Sequence, residues 1–267
     1  MILPLTAPRI TWRPATVMEI REETTTARTL VLDVPGWPGH LAGQHVDVRL
    51  TAGDGYQAAR SYSIASPPED TRLALTIERL PEGEVSSYLC GDVRVGDHFE
   101  LRGPIGGYFV WRASDGGPLL LVAGGSGIVP LMSMLRHRAK FILSQAKDPA
   151  SSKARSIGAS MPARLLYSSR RWRDVIYRDE LAALAAWDPS VKVIHTITRD
   201  APVNWTGFKR RIDRAMLAEV AWPALERART YVCGPTALVE SAANALVELG
   251  YDPLSVKTER FGPTGER

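Results

Sequence analysis

Arg60-Ser61-Tyr62-Ser63 sets a guanidinium, an aromatic ring and two hydroxyls within four residues. A guanidinium grips phosphate bidentately, a tyrosine covers a flat ring, and a serine hydroxyl bonds a ring nitrogen. The set suits a flat heterocycle that carries phosphate, although an ordinary strand with one exposed arginine would read the same. Gly83-Glu84-Val85-Ser86-Ser87 places a glycine and serines before a short apolar stretch, the form of a capped helix start whose free N–H groups favour an anion. A third stretch, Gly124-Gly125-Ser126-Gly127-Ile128-Val129-Pro130, follows the apolar run Leu119-Leu120-Leu121-Val122-Ala123 and precedes helical apolar spacing. It predicts strand, glycine turn and helix start, where backbone can approach a ligand closely and the helix end favours phosphate.

The third stretch also excludes several chemistries. Proline stands at position 130 where the dinucleotide fingerprint has its third glycine, and the Gly-Lys-Ser/Thr ending of a P-loop is absent. Ser126 lacks the glycine frame of a nucleophile elbow. Net charge is +4, most of the positive charge is arginine, and no nucleic-acid partner follows from it. Cys90 and Cys233 are the only cysteines, too few to ligate an iron–sulfur cluster or a cysteine zinc site, so no metal is expected. His40, His45, His98, His137 and His195 show no ligand spacing and read as surface or packing residues. Met1 to Pro8 has prolines and no charged segment before an apolar core, a poor leader, and no apolar run approaches a membrane span. A cytoplasmic protein without membrane contact is the expectation.

The elements that must position these groups fall into two sets. Trp12 to Ile20, Thr29 to Val34, His45 to Leu50, Arg60 to Ala65, Leu73 to Glu78 and His98 to Leu101 are short, several alternate, and breaker clusters separate them. They predict a small antiparallel β-barrel domain over 1–112. Residues 113–118 are small, polar and breaker-rich and form the linker. From 119 to 267 strands and helices alternate, which predicts an α/β domain with a parallel sheet. Its strands are expected near Leu119, Arg164 to Ser168, Lys192 to Thr198, Thr230 to Cys233 and Val256 to Thr258. Lys147 to Pro162 lacks apolar periodicity and reads as an exposed, mobile loop.

In such sheets ligands meet the carboxyl ends of the strands. One end carries Ser169-Arg170-Arg171 and no acid at its tip, which suits a 2′-phosphate on adenosine ribose, or is simply a solvated basic loop. Another end carries Cys233-Gly234-Pro235.

Six motifs now stand in order: Arg60-Ser61-Tyr62-Ser63, Gly83-Glu84-Val85-Ser86, Gly103-Pro104-Ile105-Gly106-Gly107-Tyr108-Phe109, the 124–130 turn, Cys233-Gly234-Pro235 and Glu259-Arg260-Phe261-Gly262. In that order the chain from Trp12 onward resembles the ferredoxin–NADP reductase superfamily, in a stand-alone form without a ferredoxin domain. The resemblance implies an FAD-binding barrel followed by an NAD(P)-binding domain. NADPH would pass hydride to the flavin, and electrons would leave to an external acceptor such as a ferredoxin, flavodoxin or oxygenase component. NADH in place of NADPH, with ferric chelates or oxygen as acceptor, is the alternative within the class; a non-catalytic flavin or dinucleotide sensor is the alternative outside it. FAD is preferred to FMN because a second anion site suits a pyrophosphate.

By the same resemblance Ser63, Cys233 and Glu259 are the catalytic residues, with Cys233 in the nicotinamide pocket and Glu259 near the reacting ring edge. Arg60, Tyr62, Ser63, Gly83, Val85, Ser86, Ser87 and the aromatic Phe261 would hold the flavin. Gly124, Gly125, Ser126, Gly127, Pro130, Cys233, Gly234 and Pro235 would hold the dinucleotide, with Ser169, Arg170 and Tyr177 at its adenosine end. One departure concerns Phe261: plant-type relatives end in a stacking aromatic, whereas residues 262–267 follow it here.

Overall fold

The computed structural model of the chain describes residues 10–146, 148 and 150–262. The leader reading of Met1 to Pro8 lies outside the described residues, as do 263–267.

The first sheet is built from β1 (Trp12–Glu22), β2 (Ala27–Asp33), β3 (His45–Thr51), β4 (Gln57–Ser63), β5 (Leu73–Glu78) and β6 (His98–Ile105), with helix α1 (Glu84–Gly91) before β6. Its order is β4-β3-β6-β1-β2-β5, and every neighbouring pair is antiparallel. Alternation drives it: Ala15 and Val17, Leu30 and Leu32, Val46 and Val48, Leu75 and Ile77 turn inward to one core, which Val85 and Leu89 of α1 cover. The expected barrel is open. Its edge strands β4 and β5 touch through a single bridge, Ile64 to Leu75. Pro67 and Pro68 follow at once, and residues without N–H groups cannot extend the ladder.

The second sheet consists of β7 (Leu119–Gly124), β8 (Ala163–Arg171), β9 (Val191–Asp200), β10 (Arg229–Pro235) and β11 (Val256–Phe261) in the order β11-β10-β7-β8-β9, all parallel. Helices α2 (Ile128–Ala146), α4 (Arg178–Trp187), α5 (Arg214–Val220) and α6 (Thr236–Glu248) cover it. Leu119, Leu121 and Ala123 face the core shared with α2 and α4, while Leu120 and Val122 face the core shared with α5 and α6. The winding order reverses between β7 and β10, so their carboxyl ends open the crevice where such sheets take ligands.

The loop expected over Lys147 to Pro162, of which 147 and 149 lie outside the described residues, contains a helix. Ser152–Ser160 forms helix α3, capped by the Ser151 hydroxyl, which accepts from Ala154 N at 3.1 Å. Its far end rests on Arg138 of α2, which donates to Gly158 O at 3.0 Å, Met161 O at 2.7 Å and the Asp188 carboxylate at 2.6 Å. A buried cation at a helix carboxyl end satisfies carbonyls that the helix leaves free. No helix among the described residues is long and apolar enough to cross a membrane.

Candidate active site

Two glycine motifs about 110 residues apart in sequence meet backbone to backbone. After β7 the chain makes a single tight turn, Gly125–Gly127, into α2. A Cβ at Gly127 would stand 2.1 Å from Cys233 O, and one at Gly234 would stand 3.1 Å from Gly124 N. Only glycine permits this approach, and the result is an open backbone cradle at the reversal point. Gly125 has φ +54°, and a Cβ there would reach within 3.7 Å of Glu78 Oε2 on β5, so the cradle faces the first sheet. Pro130 is buried in the first turn of α2, where its missing N–H costs nothing; it shapes the cradle and does not line it.

Opposite lie the strand ends of the flavin-type motif. Ser63 pairs with His45 across β4 and β3, and Cys233 pairs with Glu259 across β10 and β11. His45 Nδ1 is 3.9 Å from Glu259 Oε1, and Cys233 Sγ is 4.0 Å from Glu259 Oε2. Four strands from two domains thus bring one hydroxyl, one imidazole, one thiol and one carboxyl to a single cleft. Burial raises the Glu259 carboxyl from its ordinary 4.5 to about 7. Burial lowers His45 even though Asp47 lies nearby to favour its charge. Burial, then the Glu259 charge, lifts Cys233 well above the ordinary thiol range, so Cys233 stays a neutral thiol and no nucleophile. A polar quartet that resists charge suits a flat, partly apolar ring stacked beside it.

Arg60 is exposed and donates only to the neighbouring Ala59 O, at 2.7 Å, which leaves its fork free for phosphate. Tyr62 lies half-buried on the barrel core. The head of α1 has Gly83 as its N-cap with no side-chain cap, so its first-turn amides donate to no local side chain. A free guanidinium, uncapped amides and a glycine cradle are the donor set that a dinucleotide-type flavin and a nicotinamide dinucleotide require, and the chain's residues fit both. Phe261 pairs with Pro235 and packs partly against the core that the two domains share.

Several expected contacts are corrected. The Ser86 hydroxyl is consumed in its own turn, donating to Gly83 O at 3.2 Å and accepting from Leu80 N at 3.1 Å. Val85 is buried and can offer only its amide, and Ser87 is half-buried with its hydroxyl donating to Leu80 O at 3.4 Å. Ser169 is 5% exposed with its side chain inside the fold, so of the Ser169-Arg170 pair Arg170 alone faces solvent at the end of β8. Tyr177 is 3% exposed and its hydroxyl donates to Thr76 of β5; it is a wedge between domains and cannot stack on an adenosine. His45, read from sequence as a surface or packing residue, is the one member of this cluster that the sequence did not single out. Its only signal was the strand register with Ser63, which places the two side by side.

Residues 14–110 match the family model described as an oxidoreductase FAD-binding domain, and residues 121–244 match the oxidoreductase NAD-binding domain. The chain is 28% identical over 250 residues to the ferredoxin–NAD(P)+ reductase component of the naphthalene 1,2-dioxygenase/salicylate 5-hydroxylase systems of Ralstonia sp, a match that covers 94% of this chain and 69% of that protein. It is 30% identical over 212 residues to the corresponding naphthalene 1,2-dioxygenase component of Pseudomonas putida, with 78% of this chain and 57% of that one covered. The chain therefore spans only about three-fifths to two-thirds of these curated relatives. In fold it superposes on the FAD/NAD-binding domain of nitric oxide dioxygenase from Vibrio cholerae, with TM-score 0.77, 22% identity and coverage of 94% and 99% of the two chains.

Proposed function

Because the chain belongs to the ferredoxin–NADP reductase superfamily, we propose that it is an NAD(P)H-dependent flavoprotein reductase whose reaction runs in the cleft between its two sheets. The observation that carries this reading is the convergence of Ser63, His45, Cys233 and Glu259 from four strands of two domains. When bound, FAD supplies the acceptor for hydride and the capacity to release electrons singly or in pairs.

The chain's own residues have separable tasks. Arg60 and the α1 amides would anchor the flavin phosphates, Tyr62 would pack on the flavin, and the Ser63 hydroxyl would hydrogen-bond it. The Gly125–Gly127 amides and the α2 amino end hold the dinucleotide phosphates. Cys233, a small neutral thiol beside Gly234, leaves room for a nicotinamide ring at the strand end. Burial raises the Glu259 carboxyl to about 7 and lowers His45, whose Nδ1 stands 3.9 Å away, so the two polar groups meet at the cleft with little buried charge. Arg170 at the β8 end supports NADPH over NADH as the donor. The acceptor is a redox protein: a ferredoxin, flavodoxin or oxygenase component, met in the cytoplasm.

The test is reconstitution. The purified chain should take up one FAD per polypeptide with negligible iron and reduce ferricyanide at the expense of NADPH. Arg60→Ala should lose flavin, whereas Ser63→Ala should retain flavin and slow its reduction. A chain that binds neither FAD nor FMN defeats the reading. Co-purification with a small redox protein or an oxygenase component identifies the acceptor.

A further inference from the structure

Tyr177 holds φ +59°, a left-handed conformation that bulky side chains rarely adopt, at the residue that opens α4. Something outside the local chain must hold it there. Its hydroxyl donates to Thr76 Oγ1 on β5. Thr76 Oγ1 lies 2.7 Å from Thr29 Oγ1, and Thr29 donates to Glu23 Oε1 at 2.6 Å. Each hydroxyl has one proton and a carboxylate only accepts, so the chain of bonds has one direction: Tyr177 to Thr76 to Thr29 to Glu23.

Arg136, in the third turn of α2, lies over the Tyr177 ring with its guanidinium carbon 4.7 Å from the centroid. The same guanidinium donates to Ala65 O at 2.7 Å and forks the Glu180 carboxylate of α4 at 2.8 and 2.6 Å. One turn earlier, buried Ser133 donates to Ser66 O at 2.7 Å. Ala65 and Ser66 directly continue the strand that carries Ser63. The helix that begins at the dinucleotide cradle is thus bolted to the chain that bears the flavin-facing serine, and the β8–α4 connection is wired to the barrel edge strand.

Resting on the reductase reading, we propose that Tyr177, Thr76 and Arg136 are positioning residues: a directional latch that fixes how far the dinucleotide half-site stands from the flavin half-site. Apolar packing alone would hold the domains together but would tolerate sliding. A hydrogen bond from a strained backbone position sets one distance and one direction. Transfer between two oriented rings is acutely sensitive to that distance, whereas phosphate grip is not. The latch therefore governs the rate of hydride transfer and leaves the affinity of either cofactor nearly untouched.

The experiment uses the FAD-loaded chain, mixed anaerobically with NADPH over a range of concentrations, with flavin bleaching followed by stopped flow well below the melting temperature. Tyr177→Phe and Thr76→Val each remove the same bond from opposite sides. Each should lower the limiting rate about threefold to tenfold, the range one hydrogen bond commands, with flavin content and apparent dinucleotide dissociation constant within about twofold of wild type. The double variant should be no slower than Thr76→Val, because both changes break the Tyr177–Thr76 bond and the valine additionally frees Thr29. Thr76→Ser keeps the hydroxyl and should restore the wild-type rate even if the valine variant proves unstable. Wild-type limiting rates in Tyr177→Phe and Thr76→Val, equal slowing by serine and valine at 76, or losses that multiply in the double variant would each overturn the latch. A wild-type protein that binds FAD but is not bleached by NADPH or NADH would instead overturn the reductase reading itself.

Discussion

Glu259 ties the catalytic proposal to a measurable property of the free protein. Its carboxyl titrates near 4.5 in an unfolded chain and near 7 in the folded one, because burial disfavours the carboxylate. Between those values the folded chain binds the extra proton. The stability that Glu259 allows is therefore fully present below about pH 4.5 and falls as pH rises through 7. The loss is at most on the order of 3 kcal/mol, since moving a titration by one pH unit takes about 1.4 kcal/mol. Glu259→Gln, measured by urea denaturation from pH 5 to 8, should flatten this fall and leave the variant more stable than wild type at pH 8. Parallel curves for the two proteins would show that the carboxyl is not held neutral. Glu259 and Cys233 were legible in the sequence only through their motifs. His45 was not, because its partner stands more than 200 residues later and no local spacing links them. Ser86 misled for the opposite reason: serine after glycine reads as a cap, but the hydroxyl turns back onto Leu80 and Gly83.

At the scale of elements, the strands were legible because alternation with period two states which face is buried, and the glycine turn was legible because a buried strand must end where its glycines begin. Helix α3 was hidden, since the group that completes it, Arg138, lies on α2 and leaves no trace in the 147–162 composition. The glycine cradle makes a sharp claim. Gly127→Ala puts a methyl 2.1 Å from the Cys233 carbonyl oxygen, between two backbones that cannot yield. It should cost about 3 kcal/mol or more and abolish dinucleotide binding. Gly91→Ala, which meets nothing within 4 Å, should stay within about 1 kcal/mol of wild type. Thermal melts and equilibrium dialysis with NADPH read both. The end of β8 makes a second claim. Arg170 is solvent-exposed, so its contact with a 2′-phosphate is screened, and Arg170→Ala should lower the NADPH-to-NADH ratio of kcat/KM by up to roughly tenfold. The fall should come from NADPH and shrink at high salt. A wild-type preference for NADH would make this end a solvated basic segment.

Across the whole molecule, the two sheets are joined by polar contacts of fixed geometry around a shared apolar core. His137 Nδ1 lies 2.6 Å from Glu69 Oε1 while its Nε2 accepts from Ala113 N, so helix α2 grips both the loop before β5 and the segment that leads into β7. This arrangement was only partly legible: composition and periodicity state two domains and their order, but not which strand of one faces which helix of the other. The Ile64–Leu75 contact leaves the barrel open along β5, the strand that faces the second domain with Thr76 and Glu78. The proposed reaction rests on that juxtaposition, because it needs both half-sites at one place. The most direct measurement loads the chain with FAD, removes oxygen, adds NADPH, and follows the visible flavin absorption in a stopped-flow instrument. The expected result is single-exponential bleaching whose rate saturates with NADPH, exceeds that with NADH at equal concentration, and drops in Ser63→Ala without loss of flavin. Stably bound FAD that neither dinucleotide bleaches would contradict it.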